Sequence, residues 1–170
     1  MGHHKLCPGF IAVACVILSA SASFAGDDTN DRATLRGIKA VCVVVEVIHR
    51  SEEQKSRLTI DTFQSDLEAA LSDAGVAVDA HAIPCVYLKV RPLQALAGRG
   101  KPIGLYAVDF SLELLQTVAL ARNQAVKTFA PTWSAENMAT IPAGELSRAS
   151  REIAHDLTEK FVAAYKNVNQ

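Results

Sequence analysis

Leu105 to Leu120 is the stretch that most constrains the fold. Tyr106, Val108, Phe110, Leu112, Leu114, Val118 and Leu120 share one parity, broken only by Gln116. The opposite parity carries Ala107, Asp109, Ser111, Glu113, Leu115, Thr117 and Ala119. Side chains alternate across a strand with period two, so this is a half-buried strand with one wet face. Such a strand fits an antiparallel sheet covered on one side only. Arg122-Asn123-Gln124 reads as a tight turn and Ala125 to Trp133 as the returning strand of a β-hairpin.

The elements before it differ in kind. Ile38 to Ile48, IKAVCVVVEVI, is almost continuously apolar and β-branched, which predicts a strand well inside the sheet. His49 to Arg57 is a charged loop. Thr59 to Ala74 repeats Ile60, Phe63, Leu67, Ala70, Leu71 and Ala74 at helical spacing. Thr59 stands as its N-cap, Asp61 in its first turn and Gly75 as its stop. Val76 to Ala80 and Cys85 to Arg91 read as one second strand region, bent at His81 to Pro84, and Pro92 to Pro102 as a loop. Ser134 to Ile141 reads as a loop, with Pro142 at a helix start. Glu145 to Lys166 forms the last helix, its apolar face marked by Leu146, Ala149, Ile153, Leu157, Phe161, Ala164 and Tyr165.

The order β-α-β-β-β-α predicts an α+β fold, a two-layer sandwich whose mixed sheet carries two helices on one face. A right-handed crossover makes the first two strands parallel. Residues 38–170 are one domain, preceded by a polar arm over 26–37 that Leu35 is placed to dock.

The first 25 residues read as an address. Lys5 is a short positive region, Leu6 to Leu18 is apolar apart from Pro8 and Gly9, and small residues follow. Ser23 and Ala25 suit the −3 and −1 positions of a signal peptidase, so cleavage is expected between Ala25 and Gly26. A membrane anchor needs about 18–20 apolar residues, more than this run holds. Cys15, after Ala12-Val13-Ala14, loosely matches a lipid-modified cysteine, but Val16, Ile17 and Leu18 stay apolar where a mature lipoprotein turns polar. The expected location is periplasmic or secreted, with no membrane span after signal removal.

Composition excludes other classes. The 170 residues are 49% hydrophobic and carry 17 basic against 18 acidic side chains. That balance leaves no basic footprint for a nucleic acid, and the apolar content argues against disorder.

Of four cysteines, Cys42 and Cys85 survive removal of the signal. Spacing alone fits either a bridge in an oxidising compartment or two buried thiols. Strand parity adds a second argument. With Val41, Val43, Val45 and Val47 toward the helices, Cys42, Val44, Glu46 and Ile48 face away. With Val86, Leu88 and Val90 toward the helices, Cys85, Tyr87, Lys89 and Arg91 face away. One register of parallel neighbours then sets Cys42 beside Cys85, Val44 beside Tyr87 and Glu46 beside Lys89. The same parity puts Asp109, Ser111 and Glu113 on that open face. Glu46, Tyr87, Lys89, Arg91, Asp109 and Glu113 are therefore the candidate binding face, set against an ordinary solvated sheet surface.

No catalytic residues are assigned. His49, His81 and His155 lack a nucleophile and an orienting partner in the sequence pattern. His81 and Cys85 are at most half a metal site, so no metal or other cofactor is implied. Gly98-Arg99-Gly100-Lys101 lacks the strand-to-helix setting of a phosphate loop. Trp133, the single tryptophan, either closes the end of the core or anchors a partner.

The succession Leu35-x-Gly37-Ile38, Val43 to Glu46, Leu67 to Gly75, the Tyr106 strand, Thr132-Trp133-Ser134 and Phe161 to Tyr165 with Asn167 and Asn169 resembles small exported bacterial proteins of unassigned function. The implied topology is similar to the N-terminal domain of the Tol-system β-propeller protein. A fold analogy delivers no function, and the resemblance transfers no catalytic residue. The expected function is a non-enzymatic interaction or assembly domain, with an envelope protein or a second copy as partner. The alternatives are a small-molecule binder or hydrolase on the acidic face, and a secreted factor acting outside the cell.

Overall fold

A computed structural model describes residues 26–49 and 58–169. The expected signal peptide and its cleavage position at Ala25, and most of the 49–57 loop, lie outside the described residues. Eight regular elements follow in order: α1 (Thr29–Ala33), β1 (Ala40–Val47), α2 (Ile60–Asp73), β2 (Ala77–Val78), β3 (Cys85–Leu96), β4 (Pro102–Leu120), β5 (Asn123–Pro142) and α3 (Leu146–Asn169). The strands form one mixed sheet in the order β2-β1-β3-β4-β5. β1 runs parallel to β2 and β3, while β3–β4 and β4–β5 are antiparallel. α2 and α3 pack on the same face, giving the expected α+β sandwich.

The core lies between that face and the helices. Val41, Leu88, Phe110, Leu112 and Leu114 from the strands meet Phe63 and Leu71 of α2 and Leu157 and Phe161 of α3. Each side chain of this size contributes roughly 1.5–3 kcal/mol on full burial. Within α3, Thr158 returns its hydroxyl to the Ala154 carbonyl at 2.9 Å. The buried Ser150 Oγ has no hydrogen-bond partner among the described residues.

Four expectations change. Val76 to Ala80 and Cys85 to Arg91 are not one strand, because β2 pairs on the opposite edge of β1 from β3. A turn carries the chain across: Asp79 Oδ1 accepts from the His81 backbone N–H at 2.9 Å, and the Asp79 carbonyl accepts from Ala82 N–H. Second, β3 continues through Pro92 to Leu96 rather than breaking into a loop. Val90 directs its carbonyl toward Ile48, and Pro92 shares its parity. The missing N–H of Pro92 therefore falls on the β1 side just after Ile48, where the β1–β3 ladder ends, and leaves the pairing with β4 intact.

Third, 134–141 is strand. β5 runs unbroken from Asn123 to Pro142, with a bulge that leaves Thr132 between Trp133, opposite Leu114, and Pro131, opposite Leu115. The turn is Ala121-Arg122, since Leu120 pairs with Asn123. Fourth, the polar arm holds a helical turn. Asp28 caps α1 by accepting from Asn30 and Asp31 N–H, and Asp31 reaches back to the Asp28 N–H. Leu35 docks as expected and is fully buried.

The end of α3 fastens this arm. Asn169 accepts from Gly37 N–H at 2.7 Å and donates to the Leu35 carbonyl at 3.0 Å, while Tyr165 donates to the Ile38 carbonyl at 2.9 Å. Gly37 has φ +77°, a conformation that L side chains rarely adopt. Asp27 accepts from Arg32 at 2.7 and 2.8 Å and from Trp133 Nε1 at 2.7 Å. Trp133 itself is buried, edge-on to Phe161 at 5.3 Å. It closes the core and does not offer itself to a partner.

Candidate functional site

The sheet face away from α2 and α3 gathers the six candidate residues. The register of β1 and β3 is the expected one: Cys42 opposite Cys85, Val44 opposite Tyr87 and Glu46 opposite Lys89. Cys42 and Cys85 are joined by a disulfide. Their Cα atoms, 4.4 Å apart across adjacent parallel strands, place both sulfurs on this face. The bridge takes Cys85 out of any metal site with His81.

β4 and β5 continue the rows. Tyr87 stands opposite Glu113, Lys89 opposite Ser111 and Arg91 opposite Asp109. Beyond them Ser134 stands opposite Glu113, Glu136 opposite Ser111 and Met138 opposite Asp109. Three β5 residues thus belong to the face although their segment reads as a loop. The available signal is a period of two, with Trp133, Ala135, Ala139 and Ile141 alternating against Ser134, Glu136, Met138 and Thr140. The small alanines blunt that signal.

The charges are connected among themselves. The Tyr87 hydroxyl donates to the Glu46 carboxylate. Arg91 donates through Nε to Asp109 Oδ2 at 2.7 Å. Lys89 pairs with Glu113 at 3.7 Å, and the Ser111 hydroxyl donates to the same carboxylate at 2.8 Å. The expected Glu46–Lys89 pair is thus adjacent in register but not the ion pair that forms. β3 lies between β1 and β4, so Lys89 has a carboxylate on either side. It takes Glu113, while Tyr87 takes Glu46. Lys89 Nζ also lies 5.6 Å from the Tyr87 ring centre, within cation–π range.

These pairings decide what the face can do chemically. The Tyr87 phenol is pushed up to about 12, first by its hydrogen bond to Glu46, then by burial and by the Glu46 and Glu113 charges. A phenol held protonated is the reverse of an activated nucleophile. Ser111 is 3% exposed and spends its proton on Glu113.

Around this charged centre stand exposed apolar side chains: Val44 (44%), Ile48, Leu93 and Met138 (75%). The Glu136 side chain has no hydrogen bond or ion pair among the described residues.

The remaining candidate features lie elsewhere. An open groove between α2 and α3 is lined by Asp66, Arg148, Arg151 and Glu152, among others, and Arg151 bridges the two helices by bonding Asp66 at 2.8 and 3.0 Å. His155, Asp156 and Glu159 on α3 bring donor atoms within 4.8 Å of one another, all three exposed. Gly98 to Lys101 forms the tip of the β3–β4 hairpin, so no helix follows it to hold a phosphate. No described helix is long and apolar enough to cross a membrane.

No family model matches the chain, and no curated protein matches it. Solved structures give distant likenesses. A PelC dodecamer from Paraburkholderia phytofirmans is 16% identical over 76% of this chain and 88% of that chain, with a TM-score of 0.41. The rare lipoprotein B from Shewanella oneidensis is 13% identical over 74% of this chain and 94% of its own, at 0.37. A minor lipoprotein from Acinetobacter baumannii is 12% identical over 78% of this chain and 97% of its own, at 0.33.

Proposed function

We propose that this chain is an exported, non-enzymatic interaction domain that docks a protein partner through the open face of its sheet. The observation that carries the reading is the make-up of that face. A connected polar centre (Glu46, Tyr87, Lys89, Arg91, Asp109, Glu113) is flanked by exposed Val44, Ile48, Leu93 and Met138. Exposed apolar side chains set around polar groups support a protein-binding reading. Export is supported by the signal-like Leu6 to Ala25 stretch and by the Cys42–Cys85 bridge, which persists in oxidising compartments.

A photo-crosslinker placed at Met138 in growing cells tests the reading. The expected result is an adduct of one discrete mass, absent when the crosslinker is moved to Glu159 on the helical side. Equal labelling from both positions, or none from Met138, overturns it. Fractionation and intact mass test the address: the expected mature chain begins at Gly26 and is two hydrogens lighter than its reduced form.

The alternative, a small-molecule binder or hydrolase on the same face, needs Glu46, Asp109 or Glu113 held ready for a ligand. Each of the three instead engages a neighbouring side chain.

A further inference from the structure

The β4–β5 hairpin outruns the rest of the molecule. β3 pairs with β4 only as far as Leu115, so beyond that point the ribbon has two strands and two unpaired edges. Residues 121–129 are all exposed, Phe129 at 49%. A two-stranded ribbon without a third strand or a covering helix is marginal in water. Its charge is one-sided: from Thr117 to Pro131 there are Arg122 and Lys127 and no acid. Neither cation has a partner among the described residues.

The open face has the opposite bias. Glu46, Asp109, Glu113 and Glu136 stand against Lys89 and Arg91, and Glu136 is the acid left without a partner among the described residues. The ribbon and the face also point the same way. Phe129 lies opposite Thr117 and Lys127 opposite Ala119, which share the parity of Glu113 and Ser111 and hence the side of Glu136 and Met138.

From this placement we infer that the chain forms a two-fold dimer in which the hairpin of each copy lies across the open face of the other, Lys127 against the partner's Glu136. The inference rests on the open-face reading above and names its occupant as a second copy. Lys127 and Glu136 are nine positions apart on one strand, about 30 Å at ~3.3 Å per residue. A two-fold axis crossing β5 midway, near Pro131 and Thr132, lays each cation on the other copy's acid. It also brings each Phe129 toward the apolar side chains of the facing sheet. This is the self-complementarity that an isologous contact requires, with two sheets packed face to face.

Edge-to-edge pairing of β5 fits less well. Pro131 with the Thr132 bulge interrupts the edge. The Gly26 carbonyl also occupies the Ser134 N–H at 2.9 Å.

The test is sedimentation velocity on the full exported chain at low salt over a range of concentrations, with the charge reversals K127E and E136K. Both positions are exposed, and unchanged melting temperatures confirm that the variants fold. The wild-type chain is expected to sediment as a dimer. Each reversal alone is expected to weaken association at least tenfold, and an equimolar mixture of the two variants to restore it. A wild-type monomer at every concentration, or a dimer indifferent to both reversals, overturns the inference. So does a wild-type monomer that pellets with anionic phospholipid vesicles and loses that binding in K127E, which assigns the hairpin to a membrane surface. A monomer that still gives the Met138 adduct with a different protein ends this inference while leaving the open-face reading standing.

Discussion

The two faces of the sheet are built from the same strands and hold together in different ways. Toward the helices, Phe110, Leu112, Leu114 and Trp133 are out of water in the core shared with α2 and α3. On the other side, Asp109, Ser111 and Glu113 alternate with them along β4; Asp109 and Glu113 bind Arg91 and Lys89 across on β3, and Ser111 bonds Glu113 along its own strand. The first face gains free energy by excluding water. The second gains little, because its ion pairs remain partly solvated and such pairs are worth roughly 0–1 kcal/mol. The covered face therefore carries most of the stability, and the open face little of it.

The largest effect that would sharpen this contrast is a core truncation. Phe110→Ala is expected to cost about 3–5 kcal/mol in urea unfolding. Met138→Ala, on the opposite face, should stay within about 0.5 kcal/mol. Similar losses at the two positions would break the comparison.

The bridge comes next, because it lies on the open face yet closes a 43-residue crossover. Reduction, or Cys42→Ser with Cys85→Ser, is expected to cost about 2–4 kcal/mol, chiefly by releasing the unfolded chain. A change below about 1 kcal/mol would mean that the covered face alone sustains the crossover.

The Asp27 lock follows. The Arg32 hydrogen bonds, above all, hold the Asp27 carboxyl below its ordinary value of 3.8, with Trp133 adding to them against the opposing effect of burial. A depressed carboxyl contributes stability that is complete above the unfolded value and lost as pH falls through the folded one. Wild type should therefore lose stability below about pH 4 more steeply than Asp27→Asn. Asp27→Asn is expected to cost about 1.5–3 kcal/mol at neutral pH. Trp133 fluorescence reports both, and a parallel acid response in the two proteins would remove the lock.

A gain is expected within the covered face. Ser150→Ala removes a buried hydroxyl that has no partner among the described residues, and should raise stability by about 1 kcal/mol. Destabilisation by that change would reveal a bond the hydroxyl makes.

The smallest effect belongs to Tyr87. Its raised value contributes stability that is full below about pH 10 and lost between 10 and about 12. Absorbance titration should show the Tyr87 phenol ionising late in wild type. Glu46→Gln should bring it back toward its ordinary range. A late tyrosine that persists in that variant would assign the shift to burial.

Much of this was legible beforehand because strand parity is strict. A period of two sorted Tyr106 to Leu114 from Asp109 to Glu113, and the equal four-residue steps Cys42–Glu46 and Cys85–Lys89 chose the β1–β3 register. The same logic faltered where hydrophobic contrast was weak. Ala135, Asn137 and Ala139 are small or polar, so the second half of β5 read as loop and Glu136 and Met138 went unseen. Pro92 looked like a strand end because a proline removes a donor; only the position of β1 shows that the missing donor falls where that ladder ends, while the pairing with β4 continues. Asp28 and Asp31 carried a capping-box spacing, but the arm's anchor at Trp133 lies over a hundred residues away in sequence.

By itself the sequence determined the α+β class, the parallel crossover, the covered and open faces and the neighbourhood of Cys42 and Cys85. Those follow from local periodicity and from the chirality of the connection. Tertiary structure alone decided that Lys89 takes Glu113 rather than Glu46, that Trp133 locks the arm, and that the hairpin stands clear of the body. Each of these depends on which groups compete for one partner in space. Local patterning sets where a side chain points, and only packing sets what it meets there.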